Sequence, residues 1–142
     1  GTGKTCGVLW LCDVVDGRCA FMDVSELAEQ LRLAKMGRFH SDWDGGLVHP
    51  HEIWSEWSRR KLAVLDELGL RGHATDHQYE TVKRAIDERY GLPLILISNL
   101  DHAALAQVYD DRVASRVASG TIVEVAGIDQ RIAHNIIEDH QA

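Results

Sequence analysis

The chain has 142 residues, 45% hydrophobic and 26% charged, which suits one globular domain with a single core. A formal charge of −7 excludes the polybasic footprint of a nonspecific DNA binder, so any nucleic-acid contact has to be local. No run approaches the ~18 apolar residues of a membrane span, no charged-then-apolar leader opens the sequence, and Cys6, Cys12 and Cys19 form no C-x-x-C pair; a cytoplasmic protein with reduced thiols and no membrane partner is expected.

The first five residues, Gly1-Thr2-Gly3-Lys4-Thr5, match the second half of the phosphate-binding pattern G-x-x-x-x-G-K-[ST]. Binding a phosphate takes a glycine turn with inward N–H groups, a lysine for the terminal phosphates, a hydroxyl for Mg²⁺ and a helix whose amino end faces the anion. Gly3, Lys4 and Thr5 supply the turn, the cation and the hydroxyl; Gly1, Thr2 and Cys6 complete the expected nucleotide-binding set. The motif's first glycine would lie upstream of Gly1, so the chain is expected to be a fragment that begins inside the loop. From Thr5 to about Val15 the residues are nearly all apolar, which predicts a helix buried against a sheet. Gly7 within it costs roughly 1 kcal/mol against alanine and predicts a close neighbour.

Arg18 to Val24 has a short strand pattern, and Ser25-Glu26 reads as the cap of a helix with Leu27, Leu31 and Ala34 on one face. Arg32, Lys35 and Arg38 follow at intervals of three as a basic stripe, either a solvated face or a contact for a nucleic-acid backbone. Between Gly37 and Arg60 the breakers Gly45-Gly46 and Pro50 interrupt the pattern. Ile53, Trp54 and Trp57 there have helical spacing, so the tryptophans either pack a short helix onto the core or stack on bases. Lys61 to Leu68 is an apolar strand ending in acid, Leu62-Ala63-Val64-Leu65-Asp66-Glu67. Alone this is a buried strand running into a solvated turn. After Gly-Lys-Thr it reads as the partner motif of a nucleotide site, with Asp66 holding Mg²⁺ beside Thr5 and Glu67 orienting or deprotonating the attacking water. ATP and Mg²⁺ are therefore the expected ligands.

A helix is predicted from about His77 to Tyr90, with Tyr79, Val82, Ala85 and Ile86 as its buried stripe and Gly91-Leu92-Pro93 as its stop. Leu94 to Ser98 is a continuous apolar strand, the pattern of parallel strands covered on both faces. Asn99 follows, then a helix from about Ala103 to Tyr109, then Arg112 and Arg116 four residues apart. Thr121 to Ala126 reads as a last strand and Ile128 to His140 as a last helix. The alternation predicts an α/β fold with a parallel sheet and helices on both faces.

Four stretches, Glu88-Arg89-Tyr90-Gly91-Leu92-Pro93, Ser98-Asn99-Leu100, Arg112-Val113-Ala114-Ser115-Arg116-Val117 and Gly127-Ile128-Asp129-Gln130-Arg131, together with the strand ending in Asp66-Glu67, resemble the DnaC/IstB-like branch of AAA+ ATPases, which contains helicase loaders and the ATPase helpers of certain transposases. The resemblance implies an AAA+ P-loop NTPase domain of the ASCE type over residues 1–142, with an α/β core at 1–126 and a remnant of the lid at 127–142. By position, Asn99 matches the sensor that places the attacking water, although a strand-end Asn also caps helices. Arg116 matches the finger inserted into a neighbouring subunit's site, Arg112 is the competing candidate or an interface residue, and Arg131 matches the second sensor. Pairing with Asp110 and Asp111 is the plainer reading of the two arginines. The implied protein is a homo-oligomeric ATPase that acts on single-stranded or duplex DNA with a replicative helicase or, second, a transposase; a small-molecule P-loop kinase fits less well. The family sheet has strand order 5-1-4-3-2. A chain lacking the central strand 1 leaves Thr121 to Ala126 without a sheet neighbour, so poor stability or strand swapping, and weak ATP binding, are expected.

Overall fold

Three short apolar segments pair into a parallel sheet in the computed structural model of the protein, which describes residues 3–15, 18–69 and 74–126. They are β1 (Cys19–Asp23), β2 (Leu62–Leu68) and β3 (Leu94–Ser98), in the order β1-β2-β3. This is the run of neighbours 2-3-4 in the expected family order. Register sets Cys19 opposite Leu62, Asp23 opposite Asp66 and Val64 opposite Ile95. Every residue of β2 except Glu67 is buried, because it alone has a strand on each side. β1 and β3 are only half covered, each being paired on one edge.

Side chains alternate across β2 and so divide the core. Ala63 and Leu65 face a large cluster built from α2 (Val24–Lys35), α3 (Pro50–Arg59), α4 (Asp76–Asp87), α5 (His102–Tyr109) and α6 (Asp111–Ala118). Leu62 and Val64 face α1 (Lys4–Val14), which contributes Cys12 and Val8 to a smaller cluster with Phe21, Ile95 and Ile97. The other side of α1 is open: Leu9, Leu11 and Val14 are exposed and Trp10 is 68% exposed. The apolar run therefore marks a helix covered on one side, not one enclosed in the core. Gly7 has open space around it, so the expectation of a close neighbour there is wrong.

The helix ends follow from local chemistry. Asp23, not Ser25, caps α2, its carboxylate accepting the Glu26 N–H at 2.7 Å. Gly37, with φ of 65°, ends α2 in a turn where the Gly37 N–H bonds the Ala34 carbonyl and the Arg38 N–H bonds the Leu33 carbonyl. Arg38 thus lies past the helix, and the predicted stripe holds only Arg32 and Lys35 on α2 itself. Pro50 opens α3, whose Trp54 and Trp57 are buried; the Trp57 indole donates to the Ala85 carbonyl at 3.1 Å and the Arg84 guanidinium lies 4.6 Å from the centre of the Trp54 ring. Packing, not base stacking, is their role. Thr75 and Gln78 cap α4 reciprocally.

Arg89 closes the amino edge of the sheet. It is 2% exposed, and its guanidinium donates to the carbonyls of Arg60 at 2.8 Å, Trp57 and Ser58 at 3.2 Å each, and Pro93 at 2.5 Å. Three of these are orphan carbonyls at or just past the end of α3, where a cation is also favoured by the helix dipole. Burial pushes its ionisation down from the ordinary arginine value.

Residues 121–126 differ from expectation: they form no strand and are exposed. Among the described residues nothing pairs with the outer edge of β3, so this segment has no sheet partner to extend along. The predicted helix after Ile128, with Arg131, lies outside the described residues, as do Gly1 and Thr2. No helix among the described residues is long and apolar enough to cross a membrane.

Candidate nucleotide-binding site

Gly3 precedes α1 in the left-handed conformation, with φ of 83°, which glycine adopts without strain. No side chain caps α1 and no acid stands in its first turn, so the amino end suits an anion. Cys6 is exposed on that turn. The next residue inward is the decisive one. Thr5 Oγ1 donates to Asp66 Oδ2 at 2.9 Å, joining the start of α1 to the end of β2 across 61 residues of chain.

Asp66 is 7% exposed and its other oxygen accepts the Glu67 N–H at 2.7 Å. Glu67 itself is exposed, with φ of 62°, a conformation unusual for a residue bearing a side chain. The ladder to β3 is regular up to Leu65 and resumes at Leu68 opposite Ser98, so Asp66 and Glu67 occupy an irregularity in the strand. Such a break re-aims a side chain, and it turns Glu67 out of the sheet at its carboxyl edge. A threonine hydroxyl and a carboxylate side by side are the hard oxygen donors that Mg²⁺ takes, so Thr5 and Asp66 fit the expected metal.

Asn99 follows β3 directly and is exposed at the same carboxyl edge. Capping of α5 falls to Asp101, which accepts the Ala104 N–H at 2.8 Å. The plainer reading of Asn99 as a helix cap is thereby removed. The structure thus brings Thr5, Asp66, Glu67 and Asn99 to one edge of the sheet, the edge at which open α/β sheets bind ligands.

Arg116 is elsewhere. It lies on α6 and pairs with Asp87, the last residue of α4. Since α4 carries the chain back from the carboxyl end of β2 to the amino end of β3, Asp87 belongs to the opposite edge, the one pinned by Arg89. Arg112 is exposed one turn earlier on the same helix. Arg32 and Lys35 are exposed, the Arg32 guanidinium donating to both Glu29 carboxylate oxygens at 2.7 Å and to Met36 Sδ at 3.2 Å, and Arg38 is exposed beyond the helix.

Asp110 joins α5 to α6 with φ of 106°, and its carboxylate accepts the Tyr79 hydroxyl at 2.6 Å and the N–H groups of Arg112 and Val113 at 2.9 Å. The Tyr79 hydroxyl, then the backbone donors, hold its carboxyl below the usual Asp value. Because the folded value is depressed, the cap's contribution is complete above the ordinary ~3.9 of a free aspartate and is lost as pH falls through the lower folded value. Tyr79→Phe is expected to move the Asp110 carboxyl upward in an NMR titration; an unchanged midpoint would show that the phenol is not the cause.

No family model and no curated protein sequence matches the chain. Solved structures do. AMPPCP-bound DnaA from Aquifex aeolicus superposes with a TM-score of 0.71 at 20% identity, over 99% of this chain and 42% of that one. A structure described as a DNA replication initiation factor gives 0.70 at 20% identity, over 99% and 41%. The chain therefore spans about two fifths of the length of each. At this identity the likeness speaks for the fold alone, the parallel α/β sheet with helices on both faces that the chain shares with both structures.

Proposed function

We propose that the protein binds and hydrolyses ATP with Mg²⁺ as a homo-oligomeric AAA+ ATPase of the DnaC/IstB-like branch, and acts in DNA replication as a loader of a replicative helicase. The observation that carries this reading is the Thr5–Asp66 contact, which joins the two halves of a nucleotide site from distant parts of the chain. In this reading Gly1, Thr2, Gly3, Lys4, Thr5 and Cys6 cradle the phosphates, Thr5 and Asp66 hold Mg²⁺, which offsets phosphate charge, and Glu67 orients and deprotonates water beside Asn99. In the same reading Arg131, which lies outside the described residues, is assigned to the terminal phosphate as the second sensor. The solved likeness described as a DNA replication initiation factor favours a replication role over transposition; help to a transposase is the second reading, favoured if duplex DNA is the trigger. Steady-state ATPase measured without DNA, with single strands and with duplex tests this. Stimulation by single strands is expected, stimulation by duplex alone favours the transposition helper, and no turnover under any condition rejects the proposal. Charge removal at Arg32, Lys35 and Arg38 belongs to the same assay as the proposed DNA contact.

The edge-to-edge separation of Arg116 from Thr5 and Asp66 supports a finger that works in a neighbouring subunit, with Arg112 at the interface. Arg116→Ala and Lys4→Ala are each expected to be inactive, since such fingers contribute roughly 10³- to 10⁵-fold. Mixed, they are expected to recover part of the activity, because one supplies an intact site and the other an intact finger. Absence of recovery at every mixing ratio counts against action between subunits.

A further inference from the structure

Beyond the residues that would meet nucleotide, the turn leaving β2 is tied down from two directions. Ser98 Oγ donates to the Leu68 carbonyl at 2.9 Å and accepts the Leu100 N–H at 2.9 Å, so a single hydroxyl spans Asn99 and fastens both of its flanks to the residue after Glu67. One residue further, the Gly69 N–H donates to the Tyr109 hydroxyl at 3.1 Å, a bond made in the core by a phenol only 3% exposed. Burial holds that phenol above its usual ionisation, so it stays protonated at neutral pH. Gly69 has φ of 72°, and a Cβ there would stand 2.2 Å from Leu100 Cδ1, so the two turns are in contact as well as bonded.

These bonds lie on the chain segments that must be held still for catalysis. Glu67 is in a left-handed conformation within a strand irregularity, and nothing in its own backbone preference keeps it there. What fixes it is the anchoring on each side: Asp66 Oδ1 on its N–H, and Leu68 and Gly69 held by Ser98 and Tyr109. We infer that Ser98 and Tyr109 are positioning residues for ATP hydrolysis, clamping the turn after Glu67 to the Asn99 loop so that the water-activating carboxylate and the neighbouring amide keep one relative placement. This rests on the nucleotide reading above. Misplacement by a fraction of an ångström is costly in such sites, whereas the phosphate cradle at α1 is built from other segments and is untouched.

The clamp predicts a split between kcat and KM. Ser98→Ala loses both bonds and Tyr109→Phe loses one; each is expected to lower kcat about tenfold or more with the ATP KM, and the Kd of a fluorescent ATP analogue, within about twofold of wild type. Ser98→Thr, which restores the hydroxyl, is expected to recover kcat to within about threefold of wild type. A purely structural role would instead weaken binding and turnover together and would not be rescued by hydroxyl chemistry. Wild-type turnover with kcat unchanged in both folded variants overturns the clamp and leaves the ATPase reading standing; so does parallel loss of kcat and nucleotide binding. Should Ser98→Ala fail to fold, Tyr109→Phe decides by the same criteria. A wild-type protein that binds no nucleotide overturns the ATPase reading and the clamp together.

Discussion

Glu67→Gln is expected to lower ATP turnover by about 10²- to 10⁴-fold while leaving ATP affinity close to wild type, the scale of losing a general base. The separation of effects follows from the placement of the two acids. Asp66 is buried, bonded to Thr5 at the amino end of α1 and to the backbone, where the proposed reading puts the metal and phosphates. Glu67 is exposed, and among the described residues its side chain makes no hydrogen bond or ion pair. Glutamine has the same size and the same tolerance for the φ of 62° found there, so the exchange removes a base and little else. Single-turnover hydrolysis beside equilibrium binding reads the two quantities apart. Loss of binding in Glu67→Gln would place Glu67 in a structural role and reject it as the base.

Arg89→Ala is expected to cost about 3–5 kcal/mol of folding stability, the scale of losing a buried hydrogen-bond network and leaving carbonyls unpaired. Removing the guanidinium strands the carbonyls of Trp57, Ser58 and Arg60 without their donor, leaves that of Pro93 with the Ala63 N–H, and uncaps the end of α3. A loss of about 3 kcal/mol would lower Tm by roughly 10 °C in a domain of this size. Arg89→Lys is expected to rescue little, because an ammonium group lacks the planar fork that reaches these carbonyls at once. Thermal and urea denaturation measure this directly; a Tm within about 2 °C of wild type in Arg89→Ala would mean that water replaces the donor at little cost.

The candidate site was legible as a constellation because its signals are local. A glycine turn followed by Lys4 and Thr5, and an apolar run that stops at Asp66 and Glu67, each announce themselves within a few residues, and the Thr5–Asp66 contact is what their pairing implies. β1, β2, β3 and α4 were legible to within a few residues at each end for the same reason. Helix α3 was obscured by the breakers around it, although Pro50 at its first turn and the spacing of Ile53, Trp54 and Trp57 were its signals. The end of α2 was readable too: Gly37 is the stop that takes Arg38 off the helix, and a period of three alone overlooked it. Arg89 had no local signal. It is recognisable as part of a family-like stretch, but its partners come from α3 and from the start of β3, and only the packed chain assembles them. The strand expected at residues 121–126 has an intrinsic pattern but no neighbour among the described residues, and a strand is a property of a pair. Gly7 illustrates the reverse error, a cost inferred from propensity with no packing behind it.

The sheet order has a kinetic consequence. Every ladder in it joins segments about thirty to forty residues apart, Cys19 to Leu62 and Ala63 to Leu94, and none is a hairpin. Loop closure must therefore be met before any strand pairing stabilises the chain, which puts this domain among the slower folders for its length. During synthesis β1 has no sheet partner until β2 has left the ribosome, while α2 and its capped ends can already form. The helical layer is then the scaffold on which β2 is received, and the candidate site, which needs the carboxyl ends of β2 and β3 together, is among the last features to be assembled.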